Sequence, residues 1–308
     1  MAKYQIDRSF FPFSMFSPPM NGAVFAMARV FLQPSLFMGR HKGVQVDRRR
    51  ITVSDGSDIE LLIYTPENLP ADAPCLVYYH GGGFVFDAAP YHYQLAYTYA
   101  KTVPCKVVMV RYRLVPKVVF PVPLQDCLDA FLWVHKNAQA LGIDVSRIAV
   151  GGDSAGGALA AGVAQTATKR DIPVLAQFLV YPVCDRSMNT QSNRMFTDTP
   201  MWNSTLSKKM WKMYVPDGNG SADCGPAAPA EATELDGLPT AYVETAEFDC
   251  LRDEGQDYAQ RLQQCGCKVT VQQTKGTMHG FDICMKAPET VRAIACRVQF
   301  LQKCFYQK

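Results

Sequence analysis

From residue 47 onward, short apolar or β-branched runs alternate with longer stretches whose apolar positions recur with helical period. Strands are expected at 47–54, 59–65, 75–80, 106–112, 147–151, 174–181, 240–246 and 268–274, because each run is strand-length and bounded by turn residues. The clearest helices between them are 122–141, opening behind Pro121 and Pro123 and stopping at Gly142, then 154–168, 251–265 and 287–305. Strands separated by helices predict an α/β fold with a mostly parallel sheet covered on both faces.

Two segments break this alternation. Residues 1–45 are rich in Phe, Met and Pro, and 186–235 runs from MWNSTLSKKMWKMY into a stretch rich in Pro, Gly and Ala. Both are assigned to a small helical cap over the C-terminal edge of the sheet, where open α/β folds hold ligands. The expected organisation is therefore an N-terminal cap segment, 1–45, and a catalytic domain, 46–308, with a cap insertion at about 186–235. The stretch 23–38 is interrupted by Arg29, Gln33 and Pro34, so it reads as an amphipathic helix and not a transmembrane span. The N-terminus lacks a compact basic start and a small-residue cleavage site, so no secretory signal is expected.

Composition adds limits. The 308 residues, 48% hydrophobic, suffice for one large core. A net charge of +3, spread evenly, predicts no nucleic-acid partner, and Arg48-Arg49-Arg50 reads as a solvated strand edge. Eleven scattered cysteines, odd in number, point to a reducing compartment, here the cytoplasm. Cys265 and Cys267 are too close together for a usual zinc half-site, and no metal or other cofactor is expected.

The chemistry lies in three places. Gly152-Asp153-Ser154-Ala155-Gly156 joins an apolar strand to an Ala-rich helix, the setting in which G-x-S-x-G exposes a nucleophilic serine on a tight turn. A glycine loop merely capped by Ser154 would share the pentapeptide, and a phosphate loop would need a Lys-Ser or Lys-Thr that is missing. The strand ending at His80 runs into Gly81-Gly82-Gly83, whose backbone can turn its N–H groups toward a ligand. Gly82 and Gly83, with the N–H of Ala155, are candidates for an oxyanion hole, and His80 is read as a brace of the loop.

Five histidines leave few candidates for a general base. His41 falls in the cap segment, His80 in the glycine loop, His92 in a loop before the elbow, and His135 in a helix. Only His279 follows the serine, as the order Ser, Asp or Glu, His requires. The acid is sought after the strand TAYVETA, where Asp249 is preferred and Glu247 stays open. Asp253 and Glu254 read as favourable charges in a helix's first turn. Phe84, Phe86, Trp202, Trp211 and Tyr214 are candidates for the substrate pocket, with cap core as the competing reading.

With HGGGF at 80–84, YRLVP at 112–116, GDSAGG at 152–157, YP at 181–182, EFDCLRDEG at 247–255 and MHGF at 278–281, the chain resembles the hormone-sensitive lipase family of esterases from about residue 45 onward. The resemblance implies an α/β-hydrolase fold with a helical cap and a cofactor-free carboxylesterase acting on small-molecule esters of short to medium acyl chains. It carries the triad onto Ser154, Asp249 and His279, and the oxyanion donors onto Gly82, Gly83 and Ala155. Val115-Pro116-Lys117 departs from the family's usual Ala-Pro-Glu, and Cys250 stands where proline is common. A homodimer is compatible with this reading. Rivals are an amide or peptide hydrolase, a long-chain lipase, and a non-catalytic small-molecule receptor, the last disfavoured because His279 is retained.

Overall fold

The computed structural model describes residues 3–17, 19–21 and 42–307. Ten strands occur in chain order: β1 (Val44–Thr52), β2 (Asp58–Pro66), β3 (Ala73–Tyr79), β4 (Lys106–Arg111), β5 (Ile143–Asp153), β6 (Ala176–Val180), β7 (Ser221–Ala222), β8 (Gly225–Pro226), β9 (Thr240–Phe248) and β10 (Val269–Met278). The α-helices are α1 (Pro90–Thr102), α2 (Val122–Lys136), α3 (Ala155–Lys169), α4 (Gln191–Met195), α5 (Ser204–Tyr214), α6 (Arg252–Gln264) and α7 (Pro288–Tyr306).

Eight strands form one sheet in the order β1-β2-β4-β3-β5-β6-β9-β10. Only β1 with β2 and β2 with β4 pair antiparallel; β3, β4, β5, β6, β9 and β10 run parallel. Every residue of β3 and β6 is buried, which is why APCLVYY is an unbroken apolar run and AQFLV is apolar except for the buried Gln177. Edge strand β1 instead exposes Arg48, Arg49 and Arg50. Helices on both faces close two cores, one centred on Val77, Val150, Leu159 and Val163, the other on Tyr78, Met109, Phe178 and Leu301.

All eight expected strands are present, and the fold is the α/β-hydrolase fold, with a parallel sheet flanked by helices. Some boundaries move. The helix expected over 122–141 ends at Lys136, and turns stabilised by Leu141 N–H to Asn137 and Ala138 carbonyls carry the chain to Gly142, at φ +60°. His92, expected in a loop, sits in α1, a helix that starts with Pro90 at its first position. The 186–235 stretch carries α4 and α5 and the two-residue hairpin β7–β8, which lies apart from the main sheet.

The helix expected over 23–38 lies outside the described residues, as does His41. Before it, single 3-10 turns occur at Arg8–Phe10 and Phe13–Met15. This N-terminal segment docks on the later insertion: Lys3 and Tyr4 hydrogen-bond Asp198, and Met201 N–H donates to Phe16 O.

Candidate active site

β5 ends in Asp153, and the next residue, Ser154, turns the chain into α3 with φ 55° and ψ −121°. That positive φ in a non-glycine residue is a strained conformation held by its surroundings. Glycine is required on both sides of it: a Cβ on Gly152 would lie 2.4 Å from Gly156 O, and one on Gly156 would lie 2.0 Å from Tyr79 O. Ser154 N–H donates to Val180 O, and Ser154 O accepts from Gly157 and Val183 N–H, fixing the turn between β6 and α3.

β10 runs to Met278, so His279 stands directly beyond a strand end and not in a long loop. Its Nε2 lies 2.8 Å from Ser154 Oγ, and its Nδ1 lies 2.7 Å from Asp249 Oδ2. Asp249 follows the end of the neighbouring strand β9 and is fully buried; its Oδ1 accepts from Leu251 N–H at 3.0 Å. Glu247, the alternative acid, accepts from Gly276 N–H at 2.7 Å and so braces the turn before His279 without touching the imidazole. Tyr181 packs against the imidazole with ring centroids 4.7 Å apart, and Trp202 lies 6.1 Å from it.

With an ionised Asp249 at Nδ1, the imidazole carries its proton there and presents the Nε2 lone pair to the serine hydroxyl. In this arrangement Ser154 O–H donates to His279 and His279 Nδ1–H donates to Asp249. The chain of bonds links residues 154, 249 and 279, and each side chain leaves the C-terminal end of a parallel strand.

Opposite the imidazole, the loop after β3 brings Gly82 at φ +122° and Gly83 at φ +58° to the same cavity as Ser154. Among the described residues, none accepts a backbone hydrogen bond from Gly82 or Gly83 N–H. Ala155 is the first residue of α3, a position whose N–H has no partner inside the helix. Among the described residues, the N–H groups of Gly82, Gly83 and Ala155 thus have no backbone acceptor. His80 lies under this loop, stacked on Tyr112 with centroids 4.5 Å apart, and its Nδ1–H donates to Gly81 O at 2.7 Å. Burial pushes the His80 imidazole down to about 4.

The cavity holds about 240 Å³ and is walled mainly by apolar groups, among them Phe16, Phe86, Tyr91, Met201, Trp202 and Ile283. Of the five aromatic candidates, Phe86 and Trp202 stand on its wall. Phe84, Trp211 and Tyr214 do not: Phe84 stacks on Tyr214 at 3.8 Å and 9°, Trp211 lies 6.3 Å from Phe84, and all three are buried in the core behind the glycine loop. Three large rings bury more area against one another than on a small cavity. Phe16, Tyr91 and Met201 were not singled out from sequence. Pro90, which suits the first position of a helix, is the signal that could have placed Tyr91 on one, but nothing local in the chain shows that residues 16 and 201 meet.

Glu254 lies in the first turn of α6, as the sequence suggests, but does more than face the helix end. It is buried, accepts from Cys184 N–H at 2.8 Å and Asn193 Nδ2 at 3.0 Å, and ties α6 to the start of the insertion instead of facing solvent. Burial pushes its carboxyl up to about 8. Among the described residues, no group of three or more His, Cys, Asp or Glu side chains is placed to hold a metal ion, and no helix is long and apolar enough to cross a membrane.

A family model described as alpha/beta hydrolase fold matches residues 76–283, and the chain belongs to that family. Its motifs are those of the hormone-sensitive lipase group within it. The carboxylesterase NlhH of Mycobacterium tuberculosis is 35% identical over 244 residues, covering 77% of this chain and 76% of that protein. Ethyl acetate hydrolase of Pseudomonas putida is 33% identical over 240 residues, covering 75% and 74%. Among solved structures, a bacterial heroin esterase matches with a TM-score of 0.90 at 34% identity over 98% of this chain and 99% of that one. Esterase LipW from Mycobacterium marinum matches with a TM-score of 0.89 at 30% identity, covering 98% and 96%.

Proposed function

We propose that the protein hydrolyses carboxylic esters of small acyl and alcohol groups, with Ser154 as nucleophile, His279 as general base and then acid, and Asp249 as the group that orients the imidazole. The observation that carries this reading is the unbroken hydrogen-bond chain from Ser154 Oγ through His279 to Asp249, opening on a cavity edged by glycine N–H donors.

Ser154 Oγ attacks the ester carbonyl carbon as its proton passes to His279 Nε2, and the carbonyl oxygen takes the negative charge. Gly82, Gly83 and Ala155 N–H groups receive that charge, a role in which one donor is worth roughly 10²- to 10³-fold in kcat. Collapse expels the alcohol, which takes the proton from the imidazolium. Water then attacks the acyl-serine by the same route, giving the carboxylic acid and restoring Ser154. A wall of Phe, Met, Trp and Ile side chains favours uncharged, apolar substituents. A cavity of about 240 Å³ favours short acyl groups over the long chains of a lipase.

The N-terminal segment and the 186–235 insertion act together as the cap in this reading. Phe16 from the first and Met201 and Trp202 from the second meet on the cavity wall, which supports that assignment. All eleven cysteines are free, which suits a reducing compartment such as the cytoplasm.

The test is turnover of p-nitrophenyl acetate and butyrate by the wild type and by Ser154→Ala. Turnover by the wild type and its loss in a folded Ser154→Ala protein are expected; undiminished turnover by the variant would remove Ser154 from the mechanism.

A further inference from the structure

Asp153, the residue beside the nucleophile, carries a second hydrogen-bonded carboxylate that the hydrolytic steps above do not use. Its side chain is 2% exposed, and among the described residues no Arg or Lys side chain pairs with it. Its partners are four donors from two stretches of chain, 78–81 and 91–92. Tyr78 O–H, from β3, donates to Oδ1 at 2.6 Å, and Gly81 N–H, from the glycine loop, donates to the same oxygen at 3.1 Å. His92 Nε2 lies 3.0 Å from Oδ2, and Tyr91 O–H lies 3.4 Å from it, both from α1.

The proton on His92 is placed by its other nitrogen. Ala89 N–H donates to His92 Nδ1 at 2.8 Å, so that nitrogen is the acceptor and Nε2 carries the hydrogen that points at Asp153. Burial on its own would raise the Asp153 carboxyl; the His92 imidazole and the hydrogen bond from the Tyr78 hydroxyl act against it and hold the group below the usual carboxylate range. The approach is too close for any side chain on the loop, since a Cβ on Gly81 would lie 2.3 Å from Oδ2.

We propose that Asp153, held by His92, is a positioning residue that locks the glycine loop to the nucleophile turn and so sets the geometry of the oxyanion hole. The inference rests on the hydrolase reading above. Its basis is connectivity. The hole draws on two pieces of chain, Gly82–Gly83 and Ala155, that belong to different loops. Gly81 immediately precedes the first, and Asp153 lies two residues before Ala155. The Gly81–Asp153 bond is therefore a cross-tie between the two halves, within one residue of one donor and two of the other. A tie that merely stabilised β5 would not need the loop's own N–H, nor two donors from residues that also wall the cavity.

Asp153→Asn is the discriminating change. A carboxylate offers two acceptor oxygens, whereas an amide offers one oxygen and one N–H group, so a donor now faces a donor either at Gly81 and Tyr78 or at His92. His92 cannot relieve this by moving its proton, because Ala89 N–H occupies Nδ1. The measurements are kcat and KM for p-nitrophenyl acetate, with kcat expressed per active site titrated by the acyl-enzyme burst, and Ki for a trifluoromethyl ketone that forms an anionic serine adduct. A displaced hole is expected to lower kcat roughly 10- to 100-fold, leave KM within about threefold, and raise Ki by the same factor as kcat falls. Tyr78→Phe, which removes one oxygen and keeps the ring, is expected to move kcat and Ki in the same directions by a smaller factor, and decides the matter alone where Asp153→Asn does not fold. Variants with a lowered thermal midpoint but unchanged kcat per site and unchanged Ki would overturn the inference, leaving Asp153 as a fold anchor. A wild type inactive on all esters would instead overturn the hydrolase reading.

Discussion

The indole of Trp202 occupies the space that a side chain on Gly83 would need: a Cβ there would lie 2.6 Å from Trp202 Cη2. The indole is fixed by Nε1–H donating to Ser207 Oγ at 2.9 Å, and it closes one side of the Ser154 well against the glycine loop. Trp202→Leu is expected to enlarge the well and shift the kcat/KM ratio of p-nitrophenyl hexanoate to acetate upward by about 10-fold, the scale of one or two methylene groups in an apolar pocket. An acyl-length profile identical to the wild type would show that Trp202 does not bound the acyl or alcohol site.

Asp249 and Glu247 leave the same strand, but only Asp249 reaches the imidazole. Asp249→Asn is expected to reduce kcat about 10⁴-fold, because an amide no longer holds the proton on Nδ1. Glu247→Gln keeps an acceptor for Gly276 N–H and is expected to change kcat less than about 10-fold. Steady-state kinetics of the two variants decides between the carboxylates, and the reverse ranking would place the acid at Glu247.

Glu254 makes stability depend on pH in a stated direction. Its folded carboxyl stands near 8 against an ordinary 4.5, so the folded state binds a proton more tightly than the unfolded chain. The resulting stabilisation is complete below the unfolded value, declines as pH rises through the interval, and is gone above about 8. Asn193 Oδ1, without a hydrogen-bond partner among the described residues, is at hand to accept from an amide at 254 once the Asn193 side chain flips. Thermal midpoints of wild type and Glu254→Gln are therefore expected to diverge between pH 5 and pH 9, with the variant gaining by roughly several degrees at the alkaline end. A difference that stays constant over that range would contradict the shifted carboxyl.

Arg297, from α7, is fully buried and bridges Glu244 at 2.5 Å and Asp282 at 2.8 Å, while Tyr181 O–H also donates to Asp282 at 2.6 Å. Removing the cation strands two buried carboxylates. Arg297→Met is expected to cost about 3–5 kcal/mol in urea unfolding, the range found when one partner of a buried ion pair is deleted. An unchanged unfolding midpoint would mean that the carboxylates find other partners.

The sheet was legible in the chain because central parallel strands are buried on both faces, so β3 stands out as an unbroken apolar run and β6 as one interrupted only by Gln177. Ser154, Asp249 and His279 were legible as candidates because strand ends, turn glycines and chain order restrict where such groups can lie. What could not be read depended on contacts between distant segments. Phe16 reaches the cavity through a backbone bond to Met201, 185 positions away, and no local pattern encodes that. The same limit holds for Glu254, whose place in a helix's first turn was legible but whose burial against Cys184 and Asn193 was not. Phe84, Trp211 and Tyr214 were candidates for the cavity by type alone, and aromatic type does not distinguish wall from core.

Activation of Ser154 by His279 can be read out by covalent labelling. Wild-type protein treated with a fluorophosphonate and digested is expected to carry the adduct on Ser154, with the labelling rate falling by orders of magnitude in His279→Ala. Labelling absent from Ser154, or equally fast without the imidazole, would contradict the account.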